Sequence, residues 1–200
     1  MWSGLRPARG SGAFRMAPGG RKAGRDMAEQ AGGEARWRAM EAADLAAVER
    51  VAAHVHPDYP EDEAVFAERL SLCPEGCLVL ARPLGDLEGY VVAHPWRLGQ
   101  PPALNSLLGA LPAAADTLYV HDIALLPACR GGGAAGRVLE RLEDLARRRG
   151  LPSLSLVAVG GSPGFWLRQG FREWADEALR GKLRSYDDAA RYMVKDLAPG

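Results

Sequence analysis

Arg130-Gly-Gly-Gly133 is the segment whose residue types and spacing are best suited to chemistry. Three consecutive glycines let the backbone come close to a ligand and turn several N–H groups toward it. If the segment opens a helix, the helix N-terminus adds a partial positive charge and Arg130 a full one, which together suit phosphate or pyrophosphate. It is not a P-loop, because no Gly-Lys-Ser/Thr follows, and its glycine spacing is not that of the dinucleotide fingerprint. A plain flexible connector between a strand and a helix would also hold such glycines. Nine residues upstream stands His121, a residue type whose unperturbed imidazole suits proton transfer near neutrality, and it is a candidate general base. The run His56, Asp58, Tyr59, Glu61, Asp62 and Glu63 carries negative charge that would attract a cation. Tyr59 or Trp96 would stack on an aromatic one. A solvated helix start has the same composition. His54-x-His56 and Cys73-x3-Cys77 have ligand-pair spacing. However, Cys77 opens an apolar strand, where cysteine acts as a small hydrophobe, so no metal is expected. Cys129 adjoins the glycine loop with nothing nearby to activate it.

These residues need elements to hold them. Trp37 to Met40 reads as a short strand, and Asp44 as the N-cap of a helix carrying Leu45, Val48, Ala52 and Val55 on one face. Pro57 and Pro60 end that helix, and acids at 61–63 start a second one that runs to about Leu72. Cys77 to Ala81 and Glu88 to Ala93 read as a hairpin about Gly85-Asp86. Gln100 to Ala115 is irregular, with a helical turn near Leu107. Thr117 to Leu125 is a strand. A regular strand puts His121 on one face with Tyr119 and Ile123, and Asp122 on the other. After the glycines, Ala135, Leu139, Leu142 and Ala146 line one face of a helix that Gly150 closes. Ser153 to Val159 is a strand, Phe165 to Gln169 a short helix, and Phe171 to Trp174 and Arg191 to Leu197 are strands.

The chain has 200 residues, 48% hydrophobic and 25% charged, with 25 basic and 25 acidic side chains. That length and composition fit one soluble domain, and the zero net charge argues against a nucleic-acid partner. No run of apolar residues is long enough for a membrane span. Three cysteines favour a reducing, cytoplasmic setting over a disulfide framework. The balance is uneven, since residues 1–25 hold six basic residues and no acid. Residues 1–35 are Arg-, Gly- and Ala-rich without apolar periodicity and are expected to form a disordered leader before a domain at 36–197. A mitochondrial or plastid presequence is the alternative for that leader.

Arg130-x-x-Gly133-x-Ala135 resembles the Arg/Gln-x-x-Gly-x-Gly/Ala signature of the GNAT-type N-acetyltransferases. Asp122-Ile-Ala-Leu-Leu-Pro127 resembles that family's fourth strand, and Phe165-Trp-Leu-Arg-Gln-Gly170-Phe171 its element after the fifth strand. Arg191-Tyr-Met-Val194 looks like its last strand. These segments follow the family's order over roughly residues 36–197. Leu72-Cys-Pro-Glu75 and the position of His121 look most like the arylalkylamine N-acetyltransferase branch and its bacterial relatives.

The resemblance implies an α/β fold, with a mixed, mostly antiparallel sheet flanked by helices and a splayed central strand pair. It implies transfer of acetyl from acetyl-CoA to a primary amine, small molecule or peptide, in a ternary complex without a metal. Acetyl-CoA would lie between strands 117–125 and 153–159. Backbone groups of Ile123 and Leu125 would meet its pantetheine arm, and Arg130, Gly131, Gly133, Ala135 and Gly136 its pyrophosphate. His121 matches a catalytic histidine of the arylalkylamine branch. One position departs from the pattern: many members carry a tyrosine that protonates the leaving thiolate, and Trp166 stands there instead. An indole N–H is no acid near neutral pH, so Tyr186 or a water would have to act, or the chain would be a non-catalytic acyl-CoA-binding or regulatory module.

Overall fold

The structure is a computed structural model, and it describes residues 33–83, 85–160 and 162–198. Nearly all of the expected leader lies outside the described residues. Seven strands form one sheet. They are β1 (Arg36–Ala39), β2 (Cys77–Ala81), β3 (Leu87–Trp96), β4 (Thr117–Leu125), β5 (Ser153–Ala158), β6 (Arg172–Glu173) and β7 (Arg191–Asp196). Their spatial order is β1-β2-β3-β4-β5-β7-β6, and only β4 and β5 run parallel. The helices are α1 (Leu45–Val55), α2 (Glu63–Leu72), α3 (Ala134–Arg148), α4 (Pro163–Arg168) and α5 (Arg180–Leu183).

The parallel pair is short. Only Leu118↔Leu154 and Tyr119↔Ser155 are in register, after which β4 and β5 part. Buried hydroxyls fasten the closed end. Thr117 donates to the Ser153 carbonyl at 3.2 Å, and the Ser153 hydroxyl donates to Thr117 Oγ1 at 3.0 Å. The open end of this V holds the site.

β4 is not regular. Val92 pairs with Asp122 but Ala93 pairs with Val120, so His121 is an extra residue in a β-bulge. The bulge turns two consecutive side chains to one face. Before it, Leu118 and Val120 pack in the core cluster with α3. After it, Ile123 and Leu125 pack against that same cluster, and Ala124 joins the α1–α2 side. Asp122 therefore lies on the same side as Tyr119 and His121, and Ile123 on the opposite side. This overturns the alternation expected of a regular strand, because the extra residue resets the period of two.

Both faces are covered. Val48, Val51 and Phe66 of α1 and α2 bury Val79, Tyr90 and Val92 on one side. Val138, Leu139, Leu142 and Leu145 of α3 bury Leu80, Val91, Leu118 and Val120 on the other. β3 runs on to Trp96, past the expected end at Ala93, despite Pro95. β2 has its last pairing at Val92, so the missing Pro95 N–H faces no ladder on that side. The expected turn near Leu107 is absent; the segment between β3 and β4 is irregular throughout. Instead, the Glu68 carboxylate accepts from the Leu108 and Gly109 amides at 2.7 and 2.8 Å, and Arg69 donates to the Ser106 carbonyl at 2.7 Å.

Candidate active site

A cleft of about 980 Å³ occupies the splay. His121, Ile123 and Leu125 of β4 line it, with Arg130, Gly131, Gly133, Ala135 and Gly136 at one end. Gly131 and Gly133 have φ of +84° and +76°, values that disfavour side chains, and Gly133 is the N-cap of α3. No side chain caps that helix, so its first amides and their partial positive charge are available to a ligand anion. A Cβ built on Gly131 or Gly132 would meet nothing within 4 Å, so there is open space above the loop. Arg130 Nε donates to the Leu125 carbonyl at 3.0 Å. Strand rise places His121 roughly 10–13 Å up β4 from the loop end at Leu125.

His121 is anchored from outside its strand. Its Nε2 lies 2.9 Å from Glu61, and only 6% and 7% of the two side chains are exposed. α2 begins at Glu63, not at Glu61 as expected. That releases Glu61 from the helix and turns its carboxylate to the cleft. Asn105 supports it: its backbone amide donates to Glu61 at 3.1 Å, and its side chain accepts from the Asp62 amide at 2.9 Å and donates to the Asp62 carboxylate at 3.2 Å. Asn105 is the one non-glycine residue with positive φ among the described residues, at +47°. With Nε2 held by the carboxylate, Nδ1 is the ring nitrogen of His121 left for another partner.

A second histidine–carboxylate pair lies beside the first. His56, at the C-cap of α1, reaches Asp122 at 3.1 Å, and Tyr90 donates to the other Asp122 oxygen. Burial opposes a charged His56, but the hydrogen bond and charge of Asp122 outweigh it and raise the pKa. Burial likewise opposes the Asp122 carboxylate, which His56 and Tyr90 nevertheless hold below its ordinary range.

Beneath these, His94 is fully buried, with its ring centroid 6.1 Å from His121 and 5.3 Å from Trp96. Burial, reinforced by the neighbouring His121, pushes its pKa down to about 3. In the unfolded chain a histidine protonates near pH 6.5. The folded form thus binds fewer protons over this window, and stability falls as pH drops from 6.5 toward 3. Melting curves from pH 7 to 4 should show a steeper loss for the wild type than for His94→Phe, which has no such proton to take up.

The model of the acetyltransferase (GNAT) family matches residues 37–171. The chain belongs to this family. No curated protein sequence matches it. Among solved structures, the GphF GNAT-like decarboxylase in complex with isobutyryl-CoA superposes with a TM-score of 0.65 at 22% identity, covering 80% of this chain and 98% of that one. The ribosomal-protein-S18-alanine N-acetyltransferase from Escherichia coli gives 0.55 at 18%, covering 83% and 96%. N-acetylglutamate synthase from Neisseria gonorrhoeae, complexed with coenzyme A and N-acetyl-glutamate, gives 0.58 at 18%, covering 82% of this chain and 35% of that one. At these identities the likeness is one of fold.

Within this GNAT fold the remaining residues named from sequence separate. Tyr59 lines the cleft, its hydroxyl donating to Asp187 at 2.9 Å. Trp96 does not line it. Its indole donates to the Gln100 carbonyl at 2.7 Å and its ring packs on His94, because β3 extends far enough to carry it past the cleft. Trp166 lines the cleft but is 6% exposed and packed edge-on between Phe165 and Phe171. Tyr186 lines it too, but its hydroxyl donates to the Pro102 carbonyl and its pKa is pushed up to about 12, mainly by burial. Cys129 points at Glu88, and burial with that carboxylate pushes its thiol up to about 11, so it is not an activated nucleophile. Glu61 as the partner of His121, and Asp122 as a cleft residue, were missed. A loop carboxylate and a bulge leave no periodic trace.

Open space over Gly131, an uncapped helix N-terminus and the Arg130 guanidinium fit a pyrophosphate. CoA should therefore raise the melting temperature. Arg130→Ala should weaken CoA binding by about 1–3 kcal/mol, the scale of one charge-assisted hydrogen bond, as read by calorimetric titration. Equal affinity in the variant would remove Arg130 from the site.

Proposed function

We propose that the protein is an acetyl-CoA-dependent N-acetyltransferase that acts on a primary amine by direct transfer in a ternary complex. The observation that carries this reading is the cleft itself: one continuous space runs from the anion-ready loop to His121 on its Glu61 anchor. Acetyl-CoA, when bound, supplies the activated acetyl thioester. Arg130 and the amides of Gly131, Gly133, Ala135 and Gly136 would hold its pyrophosphate, and Ile123 and Leu125 of β4 its pantetheine arm. His121 Nδ1 takes the proton of the incoming ammonium, directly or through one water, while Glu61 fixes the tautomer and stabilises the imidazolium. Asp58, Glu61 and Asp122 line the cleft and attract a protonated amine, and Tyr59 offers it an aromatic surface.

A second reading is a non-catalytic acyl-CoA-binding module. The observation in its favour is Trp166, a core-packed indole where many family members carry the acidic phenol. Thiol release from acetyl-CoA separates the two. The panel holds an aryl-ethylamine, free amino acids, and peptides with a free N-terminus or a lysine. An enzyme releases CoA faster with at least one of these amines than without any. If CoA binds but no amine accelerates release, the module reading stands.

A further inference from the structure

The acid half of the reaction has no obvious owner. Trp166 has no acidic proton. Tyr186 has committed its hydroxyl to the Pro102 carbonyl and Tyr59 its hydroxyl to Asp187, the Cys129 thiol is turned to Glu88, and Tyr119 is buried in its own cluster. His56 is the remaining group of suitable chemistry on the wall of the cleft. Its side chain is 26% exposed, against 6% for His121. Its Nε2 sits 3.1 Å from Asp122 and 3.4 Å from the Ile123 carbonyl, so its position beside β4 is fixed. Nδ1 has no hydrogen-bond partner among the described residues. Ile123 is one of the residues assigned to the pantetheine arm, so a group fixed beside it stands where the arm would approach the thioester.

We propose that His56, held on Asp122, donates the proton to the leaving thiolate, and that the two histidine–carboxylate pairs divide acid from base. This rests on the acetyl-transfer reading above. His121 first takes one proton from the ammonium. As the amine nitrogen forms the new C–N bond, the C–S bond breaks with its electron pair on sulfur, and His56 Nδ1 gives its proton to that sulfur. The second proton lost by the nitrogen restores His56 through solvent. The turnover ends with an amide, a thiol and the one proton carried by His121.

The surroundings of His56 support a protonated resting state. Asp122 faces it from β4, braced by Tyr90 of β3, and outweighs both burial and the repulsion of Arg130 from the glycine loop. His121 lies next to Asp122 on the bulge and acts on the same carboxylate. The bulge is what makes the arrangement possible, since a regular strand would turn Asp122 to the far side of the sheet.

The test combines kinetics with a titration of the ligand-free protein. His56→Gln should cut kcat by about 10²-fold or more, the usual scale for a general acid. CoA affinity should stay close to wild type, the variant should remain folded by circular dichroism with a somewhat lower melting temperature, and the alkaline limb of the pH–rate profile should disappear. Asp122→Asn should move that limb down by about one pH unit, the effect of losing one adjacent carboxylate. NMR titration of the His56 ring in the free protein should fall by the same amount. Near-normal kcat in His56→Gln, an unchanged alkaline limb, or a His56 titration indifferent to Asp122→Asn would each overturn the assignment. If His121→Gln is impaired while His56→Gln is not, this inference alone fails. If the wild type acetylates no amine at all, the acetyl-transfer reading fails and this one with it.

Discussion

Replacing His121 with glutamine is expected to slow acetyl transfer by about 10²–10⁴-fold, the usual worth of a general base, with little change in CoA affinity. Glutamine keeps a polar side chain of similar reach, so it can still hydrogen-bond Glu61, but it cannot take a proton. The acidic limb of the pH–rate profile should vanish with the histidine. CoA binding should survive because the loop that would hold the pyrophosphate lies at the other end of the cleft. A control is Glu61→Gln, which keeps a partner for Nε2 but removes the charge that stabilises the imidazolium. It should lower kcat less than His121→Gln. Steady-state thiol release across pH reads all three proteins.

Arg69→Ala should destabilise the fold by about 2–3 kcal/mol, the scale of losing charge-assisted hydrogen bonds made by a buried side chain. Arg69 is fully buried and pairs with Glu68, whose carboxylate also holds the Leu108 and Gly109 amides. Its second nitrogen holds the Ser106 carbonyl. Alanine leaves Glu68 without its cation, opens a cavity under α2 and frees the stretch that follows β3. That stretch supplies Leu104 to the cleft wall, Asn105 to Glu61, and the Pro102 carbonyl to Tyr186. The KM for the amine should therefore rise along with the loss of stability. Arg69→Met fills the space without a charge and should cost less than alanine. Urea unfolding of the two variants provides the comparison, and equal stability of Arg69→Ala and wild type would show that the pair carries no load.

Much of the fold was legible because it follows from periodicity and punctuation. The apolar stripe Leu139, Leu142 and Ala146 gave α3, and the β-branched and apolar run from Thr117 gave β4. The glycines after Arg130 marked the loop before α3, in which the structure finds Gly131 and Gly133 left-handed, and Gly150 marked the end after it. The unreadable features were tertiary. A bulge is one extra residue whose presence depends on how β3 pairs with β4, so Asp122 was placed on the wrong face. Glu61 looked like the first acid of a helix, and only its contact with His121 shows what it does. Trp96 looked available for stacking because the length of β3 past Pro95 depends on where β2 stops pairing. The short α5 and the turn before it carry no periodic pattern of their own.

A crystal structure of the protein with CoA and an accepted amine tests the central claim most directly. The account predicts the pyrophosphate within hydrogen-bond distance of the Gly131–Gly136 amides and the Arg130 guanidinium. It also predicts the sulfur between the diverging strands, and the amine nitrogen within reach of His121 Nδ1, directly or through one water. CoA bound outside the β4–β5 cleft, or bound within it while the amine lies away from His121, would contradict it.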